Sequence, residues 1–441
     1  MKSPTISMII VTLLNPFFLV SEKTGAMSCH VLNDIAESKI QSEKLQNHTP
    51  NKKNINDIKN LRNSDIPVKN AQQPHQLKPL PTDSGDVFQQ QQSQKNKHSK
   101  AIQKPQKQSQ SSNNYTIIIA ADPQAWRLTT GDPNSIQNRA PWLRKNKNVA
   151  AAIKSHKADF IIVNGDLTEY GRKATYSDYA NIYKKLGIPV YEGLGNHDYA
   201  NNAHDCMIPR AFNFFQDACA ISAVERMVSE IKKYEKTLSN FNKHLSEQRV
   251  SNGFFYYGFY FIQGSLSYSW DYGDIHYVQL HNYPLYEVTL KDLTTSVRIK
   301  NSLDWLKKDL EAADKRGKVT ILNFHDARPY YRDRNSHFLL PKNAQKLAVF
   351  KSIITKHNVI AIFVGHAHRE FYCRGSDDPV FGNIPIYTSG ALFKGHYYLV
   401  DVHGKDFSVK GYNGETGVPI LDQDLGRNGT YRSPWDNCSN L

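Results

Sequence analysis

Five short polar strings in this chain carry residue types that bind divalent cations: Asp122-Pro123-Gln124, Asn164-Gly165-Asp166, Gly195-Asn196-His197-Asp198, His325-Asp326 and Gly365-His366-Ala367-His368. A carboxylate can bridge two cations through its two oxygens, which is the natural role for Asp166. Imidazoles and amide oxygens complete each coordination sphere without adding excess negative charge. Two cations held ~3.5–4 Å apart clamp a phosphoryl group, lower the pKa of a bridging water and supply hydroxide for in-line attack. The leaving oxygen then needs a proton. His197 follows the ligand Asn196 directly, so it points elsewhere yet stays within reach, and Asp198 can hold its tautomer and raise its pKa.

These strings need elements that bring them together. Each follows an apolar run. Residues 115–121 (YTIIIAA) are rich in β-branched side chains, as expected of a strand buried on both faces. Further strands are expected over 160–163, 189–192, 319–323 and 359–364. Helices are expected over 146–156, 175–186 and 344–357, and around the Leu303, Leu306 and Leu310 face that ends near Gly317. This alternation predicts a layered α/β architecture, in which ligands bind beyond the carboxyl ends of the strands. Residues 210–248 read as a helical insertion, because Val224, Met227, Val228, Ile231, Tyr234 and Leu238 recur at heptad-like spacing. Aromatic strands follow over 254–262 and 267–282, the latter turning at Tyr272-Gly273-Asp274, and short strands run from 384 to 412.

Composition separates this domain from what precedes it. Only 39% of the 441 residues are hydrophobic, against ~45–50% in ordinary globular domains. All five Trp lie beyond residue 115, and Phe88 is the lone aromatic between His30 and Asn114. Residues 27–114 are therefore expected to form a disordered low-complexity linker, unable to bury enough apolar surface to offset chain entropy. Residues 1–26 read as a signal peptide: Lys2, an apolar stretch over 8–20, and Thr24-Gly25-Ala26 as a cleavage site. The expected destination is secreted, periplasmic or cell-surface, with no transmembrane span after cleavage. The string Ala26-Met27-Ser28-Cys29 faintly resembles a lipoprotein box. Export makes disulfides possible. Of the three pairings open to the remaining cysteines, Cys206–Cys219 and Cys373–Cys438 are favoured. The net charge of +14 invites a nucleic-acid reading, yet residues 30–114 hold 13 Lys+Arg against 7 Asp+Glu, so six of those charges belong to the linker.

Taken jointly, Asp-x-Gln, Gly-Asp, Gly-Asn-His-Asp, His and Gly-His-x-His resemble the motif series of the calcineurin-like metallophosphoesterase superfamily, from residue 115 to about residue 412. The resemblance implies a two-sheet β-sandwich flanked by helices, spanning the domain 115–441, with a dinuclear site at the strand ends. It places Asp122, Gln124, Asp166 and His368 on one metal, and Asp166, Asn196, His325 and His366 on the other. It casts His197 as general acid or phosphate binder, oriented by Asp198. Gln124 stands where the family usually has His. Its amide oxygen is a weaker, harder ligand, which favours Mn, Fe(II) or Mg over Zn. Purple acid phosphatases carry a tyrosine three residues after the bridging Asp; here Glu169 stands there, which argues against an Fe(III)–tyrosinate centre. Arg127, Arg328 and Arg369 follow ligand strings closely and are candidate phosphate clamps.

The expected function is an exported, monomeric phosphoesterase that uses two divalent ions (Mn, Fe or Zn, with Mg compatible). It would hydrolyse a phosphomonoester or phosphodiester of a small molecule or phosphoprotein. Two rivals stand beside it. A catalytically degenerate binding module is disfavoured by the intact ligand strings. A nuclease would exploit the basic balance, and nucleic acid is not the favoured partner.

Overall fold

The computed structural model describes residues 113–133, 135–204, 206, 216–252, 255–327, 337–338, 340–373 and 380–427. The expected signal peptide, the linker, Cys29, Arg328 and the Cys373–Cys438 pairing lie outside the described residues.

Among the described residues the strands are β1 Asn114–Ala120, β2 Phe160–Val163, β3 Val190–Glu192, β4 Ser239–Asn252, β5 Phe255–Tyr272, β6 Ile275–Gln279, β7 Val288–Lys291, β8 Thr295–Ile299, β9 Val319–Asn323, β10 Val359–Val364, β11 Glu370–Cys373, β12 Ile386–Ser389, β13 His396–His403, β14 Asp406–Asn413 and β15 Ile420–Arg427. The helices are α1 Arg139–Ser155, α2 Lys173–Tyr183, α3 Ala218–Tyr234, α4 Leu303–Lys315 and α5 Ala344–Lys356.

Two mixed sheets result. One has the order β15-β14-β13-β1-β2-β3; the other runs β11-β12-β10-β9-β6-β5-β8-β7, with β4 paired to β5. The parallel strands are β1, β2 and the edge strand β3 in the first sheet, and β6, β9, β10 and β12 together with the β5–β8 pair in the second. Their near-continuous burial explains why they read as unbroken apolar runs rather than as alternation.

Aromatic rings join the sheets face to face. Phe160 of β2 lies 5.4 Å from Tyr277 and 6.2 Å from Trp270, and Phe363 of β10 lies 6.2 Å from Phe407 of β14. Such edge-to-face pairs add ~0.5–1.5 kcal/mol each beyond their area burial. Helices cover the outer faces. Leu306, Leu310, Phe350 and Ile354 of α4 and α5 pack with Leu322 and Ile362, while Trp142, Val149 and Tyr179 of α1 and α2 join the main core. The expected two-sheet sandwich flanked by helices is what the chain forms.

One expectation needs correction. Among the described residues the helical insertion is confined to α3, because residues 239–252 form β4, paired antiparallel with β5. Phe241 and Leu245 pack against the main core. The heptad-like spacing that predicted the helix ends at Leu238, so it carried no signal for the residues that form β4. The two expected aromatic strands also differ: 255–272 is the single strand β5, and β6 follows its turn.

A buried ionic network braces the second sheet. The fully buried His276 ring lies 2.7 Å from Asp271 and 2.9 Å from Asp309, and Arg316 binds Asp271 at 2.8 Å. Burial alone would lower the His276 pKa, but the hydrogen bonds to Asp271 and Asp309 outweigh it and raise it. Its stabilising contribution is complete below the unfolded imidazole pKa of about 6.5 and is lost as pH rises through the higher folded value. His276→Ala is expected to cost about 3–5 kcal/mol by leaving buried carboxylates uncompensated. Urea titration checks this, and a loss below about 1 kcal/mol contradicts it.

Candidate metal centre

All five polar strings emerge just beyond strand ends: β1 stops at Ala120, β2 at Val163, β3 at Glu192, β9 at Asn323 and β10 at Val364. The turns that follow are laced together by backbone bonds. Asp122 donates its N–H to Gly165 at 3.1 Å, Gln124 to Asp166 at 2.9 Å, and Gly365 to His325 at 3.1 Å. Five of the seven expected ligands sit in the left-handed backbone region: Asp122 (φ 54°), Gln124 (31°), Asp166 (52°), His366 (68°) and His368 (54°). Non-glycine residues adopt this region rarely and at a cost of ~1–3 kcal/mol each, so the surrounding lattice must hold them there. The strain aims these side chains at one point.

Two clusters of potential ligand atoms form, and they share a carboxylate. Asp166, His325 and His366 make one; Asp122, Asp166 and His368 make the other, with ligand atoms in each within 4.8 Å of one another. In the first, His325 Nε2 lies 3.2 Å from Asp166 Oδ2. Asn196 Oδ1 lies 3.0 Å from His325 Nε2 and 2.8 Å from His366 Nδ1. In the second, His368 Nε2 lies 3.2 Å from Asp122 Oδ1. Atoms bound to one ion at ~2.0–2.2 Å lie about 3–3.5 Å apart, so these spacings suit ligation.

The residues fit the cations that the sequence implies. Asp122 Oδ1 and Gln124 Oε1 are buried without a hydrogen-bond partner, a state that costs free energy unless something else meets them. Gln124 Nε2 is 3.4 Å from Asp166 Oδ2, and a half-turn of the amide brings its oxygen to the same place. His325 Nδ1 lies 2.7 Å from the carbonyl oxygen of Asn164, which fixes the tautomer that leaves Nε2 free to ligate.

Electrostatics agree. Burial would raise the Asp166 carboxyl, but the His325 and His197 charges outweigh it and hold it well below the usual range. Burial would lower the His325 ring, yet the Asp166 and Asp122 charges push it up to about 10. The buried carboxylates demand positive charge, and a cation seated between them displaces that proton.

His197 stands at the rim, but its partner is not the expected one. Its Nδ1 lies 3.0 Å from Glu169 Oε1. Arg127 donates to both Glu169 oxygens at 3.1 and 3.2 Å. The Asp198 carboxylate turns the other way. It accepts from the backbone N–H groups of Leu167, Thr168 and Gly195 at 3.0, 2.9 and 2.9 Å, and from the Thr168 hydroxyl at 2.8 Å. Adjacent side chains diverge in the single tight turn Asn196–Ala200, so sequence neighbours do not become hydrogen-bond partners. Asp198 thus ties the turn after β3 to the turn after β2. Asp198→Ala is expected to cost about 3 kcal/mol by stranding those buried donors. Chemical unfolding tests this; an unchanged midpoint contradicts it.

Burial would lower the His197 ring, but the Asp166 charge and the Glu169 hydrogen bond push it up to about 9. Its backbone N–H also donates to Asp166 Oδ1 at 2.8 Å. Gly195 permits this closeness, since any Cβ there would collide with the Asp166 side chain and backbone.

Other candidates resolve differently. Arg127 is engaged by Glu169, and Arg369 is exposed. His204 is 67% exposed and pairs with Asp217 at 2.9 Å, a rim contact. His281 accepts from Leu194 N–H at 3.0 Å and lies 2.7 Å from the Leu266 carbonyl oxygen, and burial drives its pKa down to about 4. It is a neutral brace for the segment leading to Asn196. The Cys206–Cys219 disulfide is present, with Cα atoms 5.3 Å apart. Sequence reasoning missed Glu169 as the partner of His197. Its position three residues after Asp166 was the available signal.

No curated protein matches the chain by sequence. Among solved structures, a dimetal phosphatase from Danio rerio is similar at 13% identity, covering 70% of this chain and 98% of that one, with a TM-score of 0.41. A purple acid phosphatase from yellow lupin (Lupinus luteus) seeds is similar at 12% identity, covering 75% and 57%, with a TM-score of 0.42. The GAP50 anchor of the Plasmodium inner membrane complex is similar at 11% identity, covering 74% and 92%, with a TM-score of 0.37. The sequence model described as calcineurin-like phosphoesterase matches residues 115–370, more than half of the chain. The strand-end clusters fall inside that span or at its edge, and the chain belongs to the calcineurin-like phosphoesterase family.

Proposed function

We propose that the protein is an exported, metal-dependent phosphoesterase that hydrolyses a phosphomonoester or phosphodiester. Asp122, Gln124, Asp166 and His368 hold one divalent cation; Asp166, Asn196, His325 and His366 hold the other. The observation that carries this reading is the shared carboxylate: two ligand clusters meet at Asp166, within a set of buried, strained strand-end residues. Bound there, divalent cations supply Lewis acidity toward phosphoryl oxygens and lower the pKa of water. The amide oxygens of Gln124 and Asn196 suit harder ions, so Mn or Fe fits well, with Zn and Mg also compatible.

The chain's own groups do the rest. His197, held protonated by Asp166 and Glu169, is placed to donate a proton to the leaving oxygen. Glu169 orients its ring through Nδ1, leaving Nε2 for the substrate. Arg127 fixes Glu169 and keeps the rim positive, which suits an anionic ester. The substrate class is a phosphorylated small molecule or a phosphoprotein side chain.

Export is supported by the N-terminal apolar segment and by the disulfide, which persists in oxidising compartments. Among the described residues, no helix is long and apolar enough to cross a membrane.

Turnover of p-nitrophenyl phosphate and bis(p-nitrophenyl) phosphate by full-length protein loaded with Mn, Fe or Zn tests the reading. Hydrolysis of either ester is the expected result. Failure with every ion and ester would leave a binding module, and salt-sensitive cleavage confined to DNA or RNA would make the protein a nuclease.

A further inference from the structure

Away from the strand-end centre, Glu370, His396 and Asp422 come together from three strands of two different sheets. Glu370 opens β11 at the edge of the second sheet, His396 opens β13, and Asp422 lies on β15 at the edge of the first. One ligand atom from each lies within 4.8 Å of the others. His396 Nδ1 is 3.0 Å from Asp422 Oδ2 and 3.5 Å from Glu370 Oε2.

Several features distinguish this group from an ordinary surface ion pair. The Glu370 side chain is only 9% exposed, and its Oε1 is buried with no hydrogen-bond partner. His396 Nδ1 is also buried and faces carboxylate oxygens of both Glu370 and Asp422. Glycines form the cradle. A Cβ at Gly390 would press on His396 and on the Glu370 stem, and one at Gly411 would meet both Glu370 carboxylate oxygens at 3.2 and 3.3 Å. Asp422 is the unpaired residue of a β-bulge: Gly411 pairs with Gln423 and Tyr412 with Leu421, which leaves Asp422 between them. Bulges re-aim a side chain at the expense of a ladder position.

We infer that Glu370, His396 and Asp422 form a separate, mononuclear site for a divalent cation of the Zn or Mn class. One imidazole and two carboxylates provide the three protein ligands such ions take, with positions left for water. An ion there joins β11 of one sheet to β13 and β15 of the other. It also sits close in sequence to the strand-end centre, two residues beyond His368. The inference does not depend on the phosphoesterase reading.

The test uses full-length protein stripped with chelator, reloaded with Zn2+, freed of excess ion and assayed for zinc per chain, with circular dichroism as a folding control. Asp166→Asn is expected to lose the strand-end ions yet retain one zinc, and His396→Gln in that background to lose it. In the otherwise native chain, Asp422→Asn, on the partly exposed edge, should remove one zinc. Its affinity at this site should fall by more than the roughly 100-fold that loss of a supporting contact brings. Zinc content unchanged by both His396→Gln and Asp422→Asn in folded protein overturns the inference. So does an Asp166→Asn variant that folds but holds no zinc.

Discussion

Asp166→Asn should abolish metal binding at the strand-end centre and activity together, lowering turnover by at least about three orders of magnitude. The substitution changes little volume, but it replaces a carboxylate with an amide that has a single good ligand oxygen. Asp166 is the one residue common to both ligand clusters, so a single change reaches both cations. It is fully buried and held ionised by the His325 and His197 charges. Losing its charge also releases the His325 ring, whose high proton affinity depends first on Asp166. Metal analysis alongside turnover reads the result. Retention of both ions with full activity would show that the bridging role is wrong.

The second large effect belongs to the proton donor. His197→Ala should lower kcat by roughly 10²–10⁴-fold, the range of general acid–base catalysis, while both cations stay bound. Substrates with a good leaving group should suffer least, because p-nitrophenolate needs little protonation to depart. Glu169→Gln should give a smaller loss of the same kind, since the carboxylate acts through the ring it faces at 3.0 Å. Metal loss in His197→Ala equal to that in Asp166→Asn would contradict the separation of roles. A variant with unchanged kcat on poor leaving groups would remove His197 from the chemistry.

Much of this was legible in the sequence, for identifiable reasons. The parallel strands β1, β2, β9 and β10 are covered on both faces, so their residues formed unbroken apolar runs. The ligand strings followed those runs directly, and chain order placed them at one edge of the sheets. Other features depended on contacts that sequence spacing does not encode. Residues 239–248 were read as helix because the apolar spacing from Val224 to Leu238 was extended past the end of α3 into β4. Asp198 was paired with His197 because they are neighbours, yet a tight turn sends their side chains apart. Glu169 reaches His197 only once the turns after β2 and β3 lie side by side, bound through Asp198. The Glu370–His396–Asp422 cluster needed the two sheets to be assembled and a bulge at Asp422, which lies 3.0 Å from His396.

The positive φ angles at five ligands were equally invisible in the sequence. Aspartate and histidine tolerate the left-handed region better than β-branched residues do, so the same residues suit both the chemistry and the backbone.

Asp166 is proposed to join two cations in one centre. Anomalous scattering from crystals of the Mn-loaded protein tests it most directly. Two peaks are expected at the strand ends, one among Asp122, Gln124 and His368 and one among Asn196, His325 and His366, with the Asp166 carboxylate touching both. A single peak there, or two peaks with Asp166 bound to only one of them, would contradict it.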